Sequence, residues 1–125
     1  MKSSALLLVV VFAAMPLLVA CSAGPQGQDM VKIAPQNCTV LIENDRVRVV
    51  RVVLRPGESI GMHNHPNGDI WMPKGPAKVR TIEQGGRSEE NEVDPTRVYW
   101  SDAGTHSIEN IGTTEYQSVV VELKR

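Results

Sequence analysis

The chain has 125 residues, with 13 basic and 14 acidic side chains and a formal charge of −1. No basic excess exists to draw nucleic acid, and the length suffices for one domain with its own core. The two cysteines allow at most one bridge, which excludes a disulfide-built scaffold.

Lys2 precedes an apolar run from Ala5 to Val19, broken only by Pro16, that ends in Leu18-Val19-Ala20-Cys21. A positive start, a short apolar stretch and small residues at its end predict a secretory signal over residues 1–20. The run falls short of the ~20 apolar residues of a membrane span. The closing tetrapeptide resembles the bacterial lipoprotein cleavage box, in which the cysteine thiol is lipidated and the freed amine acylated. An ordinary secretory peptide with a coincidental cysteine is the plainer alternative. The resemblance implies a lipid on Cys21 as the membrane contact and a place in the bacterial cell envelope. In a Gram-negative cell Ser22, where Asp would redirect sorting, favours the periplasmic side of the outer membrane.

Residues 21–36 then form the lipidated cysteine and a tether, whose stretch Ser22 to Gln28 is small, polar and rich in Gly and Pro. Two acyl signals suffice for stable anchoring. The mature chain would have 105 residues, with 12 basic and 14 acidic. Cys38, without a partner once Cys21 is acylated, reads as a small buried residue rather than an activated thiol.

The domain proper is expected over residues 37–125 as a series of short strands. Thr39 to Ile42 and Arg46 to Leu54 flank the turn signal Asn44-Asp45. In the second of these strands the alternation changes phase, with Val47 and Val49 in one register and Val50, Val52 and Leu54 in the other, which predicts a β-bulge or burial on both faces near Val49-Val50. Ile60 to His65, Asp69 to Met72, Ala77 to Glu83, Glu89 to Glu92, Arg97 to Ser101, Thr105 to Glu109 and Tyr116 to Leu123 complete the set, separated by Gly-, Pro- and Asn-rich turns. Strands at this spacing, with no helical period after the signal, predict an all-β sandwich or barrel in a single domain.

All three histidines fall in two of these strands. His63 and His65 are two residues apart and so share a face, while His106 comes from a distant strand able to close over the same spot. Three neutral imidazoles converging from different strands are what a divalent transition metal such as Fe, Mn, Ni or Zn requires. Satisfied interior histidines are the plain alternative.

These residues resemble the two motifs of a small single-domain cupin. Gly57, five residues, His63-Asn64-His65, three residues and Asp69, with Gly75 beyond, is similar to the first motif; Asp102-Ala103-Gly104, one residue, His106, three residues and Asn110 is similar to the second. The likeness spans Asn37 to Lys124 and implies a double-stranded β-helix, a jelly-roll-like barrel with its site inside. Two departures stand out. The proline of the second motif is Asp102, and its spacer is one residue short. The glutamate of the first motif is Asp69, one methylene shorter, so Asp69 is either a fourth ligand carried inward by the Pro66-Asn67-Gly68 loop or a turn residue beside a three-histidine site.

Ile60, Met62 and Trp71 are expected to wall a substrate pocket, Trp100 to pack in the core, Asn110 to form a turn, and Arg51 and Arg80 to sit on an outer face. No Gly-x-Ser-x-Gly elbow and no phosphate loop is present, so any chemistry runs through the metal. The resemblance implies a small-molecule ligand. It leaves open an oxygenase-like enzyme, a non-catalytic ligand- or protein-binding module, and a homodimer.

Overall fold

The computed structural model describes residues 27–125; the expected signal over 1–20 and the lipidation site Cys21 lie outside the described residues. Nine strands follow one short helix: α1 (Met30–Ile33), β1 (Cys38–Glu43), β2 (Val47–Leu54), β3 (Ser59–His65), β4 (Asp69–Pro73), β5 (Ala77–Glu83), β6 (Ser88–Val93), β7 (Tyr99–Ser101), β8 (Gly104–Asn110) and β9 (Tyr116–Leu123). Every strand predicted from alternation and turn residues is present, within two residues at each end. No described helix is long and apolar enough to cross a membrane.

The strands form two antiparallel sheets, one in the order β1-β2-β9-β4-β7 and one in the order β3-β8-β5-β6. Side chains that alternate inward from both sheets make the core, including Val50, Val52 and Leu54 of β2, Ile60 of β3, Val79 of β5, Val93 of β6 and Tyr116 and Val120 of β9. Burial of a side chain of Val or Leu size contributes about 1.5–3 kcal/mol, so these rows lock each strand's register. The turns do their part locally. Gly68 adopts φ +79, and a Cβ there would come 2.8 Å from the Ser101 carbonyl oxygen. The Asn67 side-chain amide donates to Leu123 O at 3.0 Å, which ties the turn before β4 to the end of β9.

Three expectations are corrected here. Residues 28–34, expected as tether, pack on the domain: Asp29 caps α1 by accepting from Val31 N, Met30 and Ala34 are core residues, and Gln28 bridges to His63. A four-residue helix is too short to show a period, so its sequence reads as tether. The predicted bulge exists, but in β1, where Val40 pairs with Val50 and Ile42 with Val49 so that Leu41 is the extra residue. Strand β2 itself pairs with β9 without a break, and the apparent phase change has another cause: Arg48 points inward. Trp100, expected in the core, is 57% exposed, because its neighbours Tyr99 and Ser101 take the inward positions of the short strand β7.

Candidate metal centre

Strands β3 and β8 pair antiparallel with His63 directly opposite His106. Between Ile60 and His63 the register slips by one residue, so both point inward despite an odd spacing. The slip is a β-bulge, and it re-aims two groups. The Gly61 carbonyl oxygen turns toward the His63 ring and lies 2.8 Å from Nδ1. Met62 turns out and is 41% exposed, so it does not wall the cavity as expected.

His63, His65 and His106 each bring a ring nitrogen within 4.8 Å of the others. The His63 and His106 ring centroids are 4.6 Å apart and those of His63 and His65 4.9 Å, both edge to face. Among the described residues this is the one grouping of His, Cys, Asp or Glu able to hold a metal ion. Burial holds the His63 imidazole down at about 4 and that of His106 at about 3, and the neighbouring histidines add to both. At neutral pH these two rings are uncharged and their lone pairs free. With His63 Nδ1 engaged by a carbonyl, its Nε2 is left as the donor.

Asp69 is 3% exposed and does not join the donor group; its Oδ2 sits 3.5 Å from His65 Nδ1, behind the ring. Burial raises its pKa. Glu122, which sequence reasoning did not single out, lies nearer, with Oε1 3.1 Å from His65 Nδ1. Both approaches lie off the line of a well-formed hydrogen bond, and His65 Nδ1 and Asp69 Oδ2 are buried without an aligned partner. The other Glu122 oxygen accepts from Arg48 Nε, and Arg48 Nη1 donates to Asp29 at 2.8 Å. Burial opposes ionisation of Glu122, but its contacts with His65 and Arg48 outweigh that and hold its carboxyl below the ordinary range. The missed signal was alternation along β9, where Tyr116, Ser118, Val120 and Glu122 all face in.

The histidines open onto a cavity of about 850 Å³ between the sheets, which Ile60 and Trp71 help to line. Trp71 stacks on Tyr99 with centroids 4.0 Å apart, and its Nε1 donates to Ser101 Oγ at 3.1 Å. The Arg97 guanidinium lies 5.3 Å from the Tyr99 ring centre. The remaining charges around the cavity are the carboxylates of Asp69, Glu83, Glu89, Glu92 and Asp102. Tyr116 also lines it; burial raises its phenol to about 12, so it stays protonated.

The other singled-out residues sit where no ligand is needed. Asn110 is fully buried and closes a turn, donating to Leu54 O and Thr114 O, both at 2.8 Å. Arg51 is exposed, and Arg80 pairs with Glu90 and Glu109 across the outer face of β5, β6 and β8. Cys38 is buried and free.

Among solved structures the chain is similar to a cupin domain from Bordetella pertussis, at 27% identity over 70% of this chain and 92% of that one, with a TM-score of 0.65. The chain has the cupin fold. This double-stranded β-helix is also that of an uncharacterised conserved protein from Klebsiella pneumoniae (22% identity, 67% and 68% of the two chains, TM-score 0.57). A further similar structure is a predicted oxalate decarboxylase from Thermotoga maritima (25% identity, 70% and 79%, TM-score 0.52). No protein-family model and no curated protein matches the chain. In cupin terms, the three histidines of the two motifs meet inside the barrel, and the acidic position of the first motif, Asp69, stands behind one of them.

Proposed function

We propose that this cupin binds one divalent transition metal through His63, His65 and His106 and takes a small organic molecule in the cavity beside it, while a lipid on Cys21 holds it at the bacterial envelope. The observation that carries the metal reading is the convergence of three buried or half-buried ring nitrogens within 4.8 Å, with His63 Nδ1 already engaged by Gly61 O. The donor set suits Fe, Mn, Ni or Zn. A divalent ion there supplies Lewis acidity, and iron would add access to oxygen chemistry. Around it the chain's own residues set the conditions. Ile60 and Trp71 keep the wall apolar, the Tyr116 phenol offers a proton donor, and five carboxylates against the one guanidinium of Arg97 favour a neutral or cationic ligand over a small acid.

The test is metal analysis of untagged protein, with reconstitution by each ion in turn. About one ion per chain, bound sharply more weakly in His63→Ala, His65→Ala or His106→Ala and retained more strongly in Asp69→Ala, is the expected result; no binding of any ion overturns the reading. Three neutral ligands leave the ion's charge uncompensated, and this favours a second reading, a zinc-holding or metal-free module that binds a ligand without turnover. Oxygen uptake by the anaerobically iron-loaded protein separates the two. The anchor rests on Leu18-Val19-Ala20-Cys21; detergent-phase partitioning that Cys21→Ala abolishes supports it, and a soluble wild type in a bacterial host overturns it.

A further inference from the structure

Arg48, Glu122 and Asp69 occupy one row across the neighbouring strands β2, β9 and β4, since Glu122 pairs with Arg48 on one side and with Asp69 on the other. All three side chains point inward; the Asp69 and Glu122 carboxylates reach the back of the His65 ring, and Arg48 reaches it only through Glu122. Of the two carboxylates, Glu122 is the closer to Nδ1, at 3.1 Å against 3.5 Å for Asp69. It is also the one held in place. Arg48 Nε grips its second oxygen, and Arg48 is gripped in turn by Asp29, whose other oxygen accepts from Val31 N at 2.9 Å in the cap of α1. Neither carboxylate makes an aligned hydrogen bond to His65 Nδ1, but Glu122 is anchored through its other oxygen, whereas Asp69 Oδ2 has no partner.

Such a chain fixes both the angle and the charge of its last member. A ligating imidazole donates through one nitrogen, and the group at the other nitrogen sets its tautomer, its orientation and its basicity. Two carboxylates and one guanidinium leave a net negative charge, delivered at His65 Nδ1. The residues come from four separate pieces of the fold, and an inward Arg–Glu pair in a barrel of this size is costly to desolvate unless it serves something.

We propose that Glu122 is the positioning residue for His65, locked by Arg48 and Asp29, so that the docked N-terminal segment contributes to metal affinity. The proposal rests on the metal reading above. Zinc affinity of the full chain, measured by competition with a chromophoric chelator, is expected to fall about 10- to 100-fold in Glu122→Gln. Arg48→Lys should fall less and Asp29→Asn least. In a His65→Ala background Glu122→Gln should cost nothing further, a result a merely structural role would not give. Unchanged affinity in Glu122→Gln, or the same loss with and without His65, overturns the proposal. If Glu122→Gln fails to fold, Arg48→Lys carries the same cycle. A wild type that binds no ion overturns the metal reading instead. The positioning claim then stands on ¹⁵N ring shifts of the metal-free protein, with a predominantly Nδ1–H His65 that Glu122→Gln disturbs expected, and identical tautomers overturning it.

Discussion

Trp71 and Tyr99 face each other across the β4–β7 pair with their rings 8° from parallel and 4.0 Å apart, so the last strand of the larger sheet is held by an aromatic contact as well as by its ladder. That strand has three residues and an open edge. Such a pair contributes roughly 0.5–1.5 kcal/mol beyond its buried area. Tyr99→Leu is therefore expected to lower stability by about 1–2 kcal/mol in urea unfolding and to change Trp71 fluorescence, while leaving zinc affinity within about twofold. A larger loss of metal than of stability would mean that β7 shapes the histidine cluster directly.

Acid should destabilise the metal-free protein well before its carboxylates titrate. In the folded state His63 and His106 are held at about 4 and about 3, chiefly by burial, against 6.5 in a model peptide. Between those values the unfolded chain binds protons that the folded chain refuses, so stability falls as the pH drops from about 6.5. Shifts of this size amount to on the order of 3–5 kcal/mol for each ring. Glu122 and Asp29, both lowered, add loss of the same sign at lower pH, and Asp69, raised, opposes it. Thermal melts from pH 7.5 to 4 should show the decline, and His106→Gln should flatten it. A level profile would contradict the burial of neutral imidazoles.

Gly68→Ala should be among the costlier single changes outside the core. The φ of +79 disfavours any L side chain by roughly 1–2 kcal/mol, and the new methyl meets the Ser101 carbonyl oxygen at 2.8 Å. The expected loss is about 2–3 kcal/mol, together with a weaker Asp69 and Glu122 alignment, since this turn leads from β3 into β4 and is hydrogen-bonded to the end of β9. Gly85→Ala, at φ +107 with nothing within 4 Å, separates the backbone cost from the steric one.

Cys38 should behave as a core residue. Burial first, then the Glu122 carboxylate, pushes its thiol up to about 11. The native protein, studied as Cys21→Ser so that one thiol reports, should react with iodoacetamide at least ~100-fold more slowly than free cysteine at pH 8. A rate near that of the free amino acid would place the thiol in solvent.

The sequence carries the ladder of strands plainly, because β-rich runs and the turn residues that bound them are local signals, even where bulges in β1 and β3 interrupt the alternation. It carries the three histidines for the same reason: residues 63 and 65 keep one face, and residue 106 starts the inward row of β8. What escapes is whatever depends on a neighbour strand. Met62 looks inward until one counts the bulge that pairing with β8 imposes. Arg48 looks like a break in β2 until Glu122 is seen opposite it. Trp100 carries the largest apolar side chain of its strand, yet parity on three residues decides its side, and Tyr99 and Ser101 take the inner positions. The fit of Asp69 could not be judged from one methylene, since the distance to be spanned is set by β4 and β9 together.

The imidazoles and the carboxylates behind them belong to different sheets. His63, His65 and His106 all ride on β3 and β8, neighbours in the four-stranded sheet, whereas Arg48, Glu122 and Asp69 ride on β2, β9 and β4 of the facing sheet. The mutual spacing of the nitrogens is thus set by the β3–β8 ladder alone, and the place of the carboxylates behind them by the packing of one sheet on the other. A substitution that alters the packing between the sheets is therefore expected to change the electrostatic surroundings of the imidazoles before it changes their spacing.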